Sequence, residues 1–141
     1  MARRIHLFVF LLAGWLALGL AAPPAAADPA RFETLIRAQI EAFRQDDAVA
    51  AFGLASPAIQ RQFGDPETFL SMVAAAYRPV YRPKRLVFLE VRPDRQGRPV
   101  QRVLVEGADG DTVFALYPMV RVGGAWRIDG CVLVRADGSG I

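Results

Sequence analysis

The stretch VQRVLVEGADGDTVFALYPMVRV, residues 100–122, holds two alternating apolar runs separated by a cluster of Gly and Asp. β-branched and aromatic residues at every second position suit a pleated strand, and Gly107 and Gly110 supply the dihedrals of a turn. The stretch therefore predicts two antiparallel strands, Val100 to Glu106 and Thr112 to Val122. Flanking runs of the same kind, Arg85 to Arg92 and Trp126 to Arg135, extend the pattern to a four-stranded antiparallel meander, with Gly123-Gly124 at the last turn. Along the first of these strands Leu86 and Phe88 oppose Val87, Leu89 and Val91, so both faces of the sheet carry apolar side chains. One face requires a cover of helices, and the other is expected to be buried in a homodimer.

Ahead of the sheet the period changes. Phe32, Leu35, Ile36, Ile40 and Phe43 recur at three or four residues and place one apolar face on a helix, with Arg37, Glu41 and Arg44 pointing away. Asp46-Asp47 breaks it, and Asp47 caps a shorter helix carrying Val49 and Phe52. Ser56-Pro57 and Asp65-Pro66 each pair a capping side chain with a proline at the first helical position. The last helix directs Phe69, Leu70, Met72 and Val73 toward a core. Helices followed by a sheet define an α+β domain.

Between the halves lies YRPVYRPKR, residues 77–85, two tyrosines among four cations. Pro79 and Pro83 bias Arg78 and Arg82 away from helical dihedrals, which predicts an extended connector. Tyr77, Arg78, Tyr81 and Arg82 are its candidate ligand-binding residues, the tyrosines for an apolar body and the guanidinium groups for an anionic end.

Residues 1–27 read as a secretory signal: Arg3 and Arg4 start it, an apolar run from Leu7 to Leu20 follows, and Ala25-Ala26-Ala27 offers a cleavage site. The run falls short of the roughly 20 residues of a membrane span. Cleavage after Ala27 leaves a single domain, residues 28–141, expected in the periplasm or secreted, with no stable membrane anchor. Without Arg3 and Arg4, the chain's 17 basic residues become 15 against 14 acidic ones, a net charge of +1. That charge is too small for the long-range field of a nucleic-acid binder. The one histidine, His6, lies in the signal, so the mature domain has no imidazole for a Ser-His-Asp triad or a metal. Cys131 is the single cysteine and reads as a buried apolar residue. No cofactor or metal is expected.

The segments QIEAFRQDDAVAAFGLASPAIQRQFG, FLSMV, YRPVYRP and WRIDGCVL together resemble domain-of-unknown-function family 4864 across nearly all of the mature chain. The resemblance extends to the larger nuclear-transport-factor-2-like group, and it implies a curved sheet wrapped on helices as a cone, a fold shared by binders, enzymes and scaffolds. Two functions follow as expectations. One is an exported, non-catalytic module that binds a small ligand or assembles through its sheet. The other, implied by similarity to isomerases and dehydratases of that cone, is an enzyme with a carboxylate base, Asp46 or Asp47, and a tyrosine donor, Tyr77, Tyr81 or Tyr117, in an apolar pocket.

Overall fold

The computed structural model describes residues 26–137; the expected signal lies almost wholly outside them. Five helices precede the sheet: α1 (Pro29–Arg44), α2 (Ala48–Gly53), α3 (Pro57–Phe63), α4 (Pro66–Ala76) and α5 (Arg78–Tyr81). Five strands follow: β1 (Pro83–Pro93), β2 (Pro99–Gly107), β3 (Thr112–Val122), β4 (Ala125–Ile128) and β5 (Val132–Arg135). The four longer helices start as their capping residues dictate. Asp28, Asp47, Ser56 and Asp65 each accept a hydrogen bond from the backbone N–H three residues on, and prolines follow three of them where no N–H is needed. α2 turns Ala48 and Ala51 inward and leaves Val49 in solvent.

The sheet is open and antiparallel in the order β1-β2-β3-β4, with β5 also paired to β3. Its inner face, Val103, Val105, Val113, Ala115, Tyr117, Met119 and Ile128, packs with Phe32, Ile36, Ile40 and Phe43 of α1 to form one core. Removing such apolar surface from water is the main favourable term in folding. Trp126 closes one end, its ring edge-on to Phe32 at 4.8 Å between centroids.

Three expectations change. The last strand is two strands, so the sheet has five rather than four. β5 pairs with residues 113–116 of β3 and β4 with 119–122, and between the paired segments stands Pro118. In an antiparallel strand one residue's N–H and C=O face the same neighbour. Pro118 accepts from the Asp129 N–H at 2.8 Å but has no N–H to return. The chain leaves the ladder over residues 129–131, with Gly130 at φ +144°, a left-handed-side conformation that favours glycine.

Second, β1 does not alternate throughout. A bulge between Phe88 and Val91 brings Val91 opposite Gln101, so Leu86, Phe88 and Val91 share the core side. Buried Gln101 donates its side-chain amide to the carbonyls of Leu89, at 2.7 Å, and Arg102. Third, YRPVYRPKR is not extended along its length. Arg78–Tyr81 makes one helical turn around buried Val80, because a proline in a first turn sacrifices no hydrogen bond. Arg82, at φ −138° and ψ 65°, leaves the helical region as the following proline requires.

Because Trp126 is only half-buried, Trp126→Ala is expected to cost about 3 kcal/mol, the low end for a deleted large aromatic. Urea unfolding will show this as a lower midpoint with an unchanged slope; an unchanged midpoint would remove the Phe32–Trp126 contact from the core.

Candidate functional site: an apolar cleft between the helices and the sheet

α1, α3 and α4 meet the inner sheet face around a partly open cleft of about 180 Å³. Phe43, Phe63, Phe69, Met72, Val73 and Val80 form its apolar walls. Phe69 ties the aromatic wall together, its ring 5.6 Å from Phe63 and 6.1 Å from Phe43. Ile128, Gly130 and Cys131 enter from the break in the last strand, and Tyr117 from β3. Gln39 and Gln62 also border it, and Gln39 spends its amide on the Ala51 carbonyl at 3.1 Å. No charged side chain among the described residues lines the cleft.

Its polar end is made of Tyr77, Tyr117 and Cys131. Tyr117 is 1% exposed, and its hydroxyl has no hydrogen-bond partner. Burial, and next the nearby Cys131 thiol, push the Tyr117 phenol well above its ordinary range; the same two causes raise Tyr77. Cys131 keeps part of its surface in solvent, yet its thiol is shielded, and burial pushes it up to about 12. All three groups are therefore protonated at neutral pH. A protonated, shielded thiol is a poor nucleophile.

The rim beside this end is held by polar contacts. Ser56 donates its hydroxyl to Asp129 at 2.6 Å while its backbone N–H donates to the Ile128 carbonyl at 2.8 Å. Arg98 joins Asp129 and Asp94, at 2.8 Å each, and so ties the β1–β2 turn to the strand break.

The other candidates gather elsewhere. Asp46, at φ 52° in the turn after α1, accepts hydrogen bonds from the Tyr81 hydroxyl and from Arg82 Nη2, the latter at 3.1 Å. Arg82 stacks on the Tyr81 ring at 3.9 Å and also donates to the Phe43 carbonyl. This cluster clasps the end of α1 to the start of β1. Arg44 adds a bond to the Pro83 carbonyl at 3.0 Å. Asp47 caps α2, and Arg78 lies on another surface depression with Pro79, Tyr81 and Asp109. The structure thus separates the tyrosines: Tyr77 and Tyr117 border the cleft, and Tyr81 belongs to the clasp. No carboxylate joins the cleft tyrosines. Gln39 was legible as a polar residue on the apolar face of α1, whereas Met72 and Val73 carried no signal beyond core packing.

Helices on one face of an open antiparallel sheet, with an uncharged cleft between the layers, define a small α+β domain of the pocket-bearing kind. The chain belongs to the family described as a domain of unknown function, DUF4864, whose profile matches residues 25–141. Among solved structures it is similar to Aln2 from a Streptomyces species, with 22% identity, 77% of this chain and 90% of that chain covered, and a TM-score of 0.48. No curated protein matches it. Among the described residues no helix is long and apolar enough to cross a membrane, and no three His, Cys, Asp or Glu side chains are grouped to hold a metal ion.

The clasp generates a pH prediction. The hydrogen bond from Tyr81, and then that from Arg82, lower the Asp46 pKa below the ordinary aspartate value of about 3.9. A depressed folded pKa stabilises above the unfolded value, and the contribution disappears as pH falls through the folded one. Urea midpoints from pH 6 to pH 2.5 should therefore drop below about pH 4, and less steeply in Asp46→Asn, which tolerates the left-handed backbone. Asp65, Glu90 and Asp94, also lowered, account for the remaining slope. Parallel curves for the two proteins would show that the clasp is not coupled to folding.

Proposed function

We propose that this is an exported, non-catalytic module that holds a small, mostly apolar ligand in the cleft between its helices and its sheet. The observation that carries this reading is the uncharged cleft of about 180 Å³. An apolar cavity of roughly 150 Å³ accepts benzene, whereas pockets for drug-sized ligands begin near roughly 300 Å³. The occupant is thus about one ring in size. Export rests on the signal read in residues 1–27.

The alternative, an isomerase- or dehydratase-like enzyme, needs a carboxylate beside a tyrosine in a desolvated site. Asp46 meets Tyr81 outside the cleft, and its lowered pKa makes it a weaker base. Arg78 and Arg82, read from the sequence as partners for an anionic end, also lie away from the cleft lining. Both placements favour neutral binding over proton abstraction.

Toluene titration followed by methyl NMR tests the reading. Shifts are expected at Ile59, Met72, Val73, Val80 and Ile128, and Val73→Trp should abolish them. Shifts confined to Val87, Leu104 and Val132 would move apolar binding to the outer sheet face.

That outer face supports a second role, assembly with another copy. Val87, Val122 and Val132 are exposed, Val132 by 55%, beside the half-buried Leu104, Phe114 and Leu116. Charges of both signs border it, in the Lys84–Glu106–Arg85 and Arg92–Glu90–Arg102 groups, as a self-complementary two-fold contact requires. Sedimentation at micromolar concentration should give a dimer that Val132→Asp dissociates; a monomeric unsubstituted protein would retire this reading.

A further inference from the structure

We infer that the cleft selects a neutral ligand carrying a hydrogen-bond acceptor, such as a ketone or ether oxygen, which accepts a hydrogen bond from the Tyr117 hydroxyl. This rests on reading the cleft as a ligand site, and it adds the chemistry of the occupant. Among the described residues, the Tyr117 hydroxyl is the buried side-chain polar group that has no partner. Leaving such a group unpaired is costly, and a phenylalanine would fill nearly the same space without the cost. The backbone allows no easy escape, because Tyr117 lies in β3, opposite Gln101 of β2.

Three features of the surroundings define what the hydroxyl meets. Cys131 offers only a weak donor and acceptor; its thiol is near enough to raise the phenol's pKa, by its charge and then by a weak polar contact, but the two groups do not reach the geometry of a hydrogen bond, so the hydroxyl stays unsatisfied. Tyr77 comes close enough to the same thiol to be influenced by it. Apart from Gln62 and Gln39, whose amide is spent on the Ala51 carbonyl, the remaining walls are aromatic and aliphatic, so the cleft has one polar end and a mostly apolar body. A phenol donates more strongly than it accepts, because its oxygen lone pair is delocalised into the ring. An acceptor on the ligand is therefore the better partner. An anion finds no counter-charge: Arg82 is committed to Asp46 at 3.1 Å, and Arg78 lies outside the lining.

The test is a cycle between ligand and residue at pH 7. Cyclohexanone, methylenecyclohexane and cyclopentanecarboxylate are titrated into the purified protein and into Tyr117→Phe, with binding followed by NMR. Tyr117→Phe is expected to weaken cyclohexanone about tenfold, the loss of one net hydrogen bond. Methylenecyclohexane, of the same size without the oxygen, should bind the variant as well as or better than the unsubstituted protein. The carboxylate should not bind. Equal changes for ketone and hydrocarbon would overturn the acceptor inference while leaving the cleft as an apolar site. Tighter binding of the carboxylate would overturn neutrality. Failure of both neutral probes to bind would instead remove the cleft reading beneath the inference. If Tyr117→Phe does not fold, labelling the tyrosine Cζ carbons decides the matter. The Tyr117 signal should move with cyclohexanone and hold with methylenecyclohexane; identical behaviour with both refutes the hydrogen bond from Tyr117 to the ligand.

Discussion

Pro118 withholds one hydrogen-bond donor from the middle of β3, and the cleft end of the domain is arranged around that missing N–H. A strand cannot stay continuously paired to β3 across this point, so the chain bows out at Asp129, Gly130 and Cys131 before β5 resumes the pairing. The detour has two consequences at once. It brings Gly130 and Cys131 to the border of the cleft opened by the three helices, and it turns Asp129 toward Ser56 and Arg98. The same irregularity therefore shapes the polar end of the cleft and anchors its rim. Tyr117, next to the proline on the inner face, is among the described residues the buried side chain left with an unpaired hydroxyl.

Most of the remaining polar chemistry is consumed by the fold. The Asp46–Tyr81–Arg82 cluster resembles a catalytic grouping in composition, but its geometry is that of a clasp: a left-handed turn, its carboxylate engaged by a phenol and a guanidinium, and the guanidinium also satisfying a helix carbonyl. A carboxylate so engaged is held in its charged form and is correspondingly less basic. Gln101 behaves in the same way, repairing the bulge in β1 with its amide. Gln39 bridges α1 to α2. Against this background of satisfied groups the lone hydroxyl of Tyr117 stands out on physical grounds, because buried polar atoms are ordinarily paired.

The two apolar faces of the sheet have different surroundings. The inner face meets α1 and is completed within the chain. The outer face keeps half-buried Leu104, Phe114 and Leu116 between mixed charges, with Arg102 lying over the Phe114 ring at 5.2 Å. Long cationic side chains can cover apolar surface with their stems while keeping the charge wet. The outer face is thus partly screened rather than bare, which makes it compatible with the free domain and with contact to a second copy.

The helix starts at Asp47, Ser56 and Asp65, the apolar face of α1, the two-residue period of β2 and β3 and the α+β class were all legible in the sequence. Each depends on interactions within a few residues: a cap reaches three residues on, and a periodicity reports one buried face. The bulge at Leu89-Glu90, the division of the last strand, the helical turn at Arg78–Tyr81 and the separation of Tyr77 from Tyr81 were decided only by the tertiary structure. These features depend on residues far apart in the chain, such as Pro118 with Asp129, Gln101 with Leu89 and Arg82 with Asp46. The residue types at the candidate site were visible in the sequence, but whether a hydroxyl is satisfied depends on every group that surrounds it in space, and no local pattern encodes that.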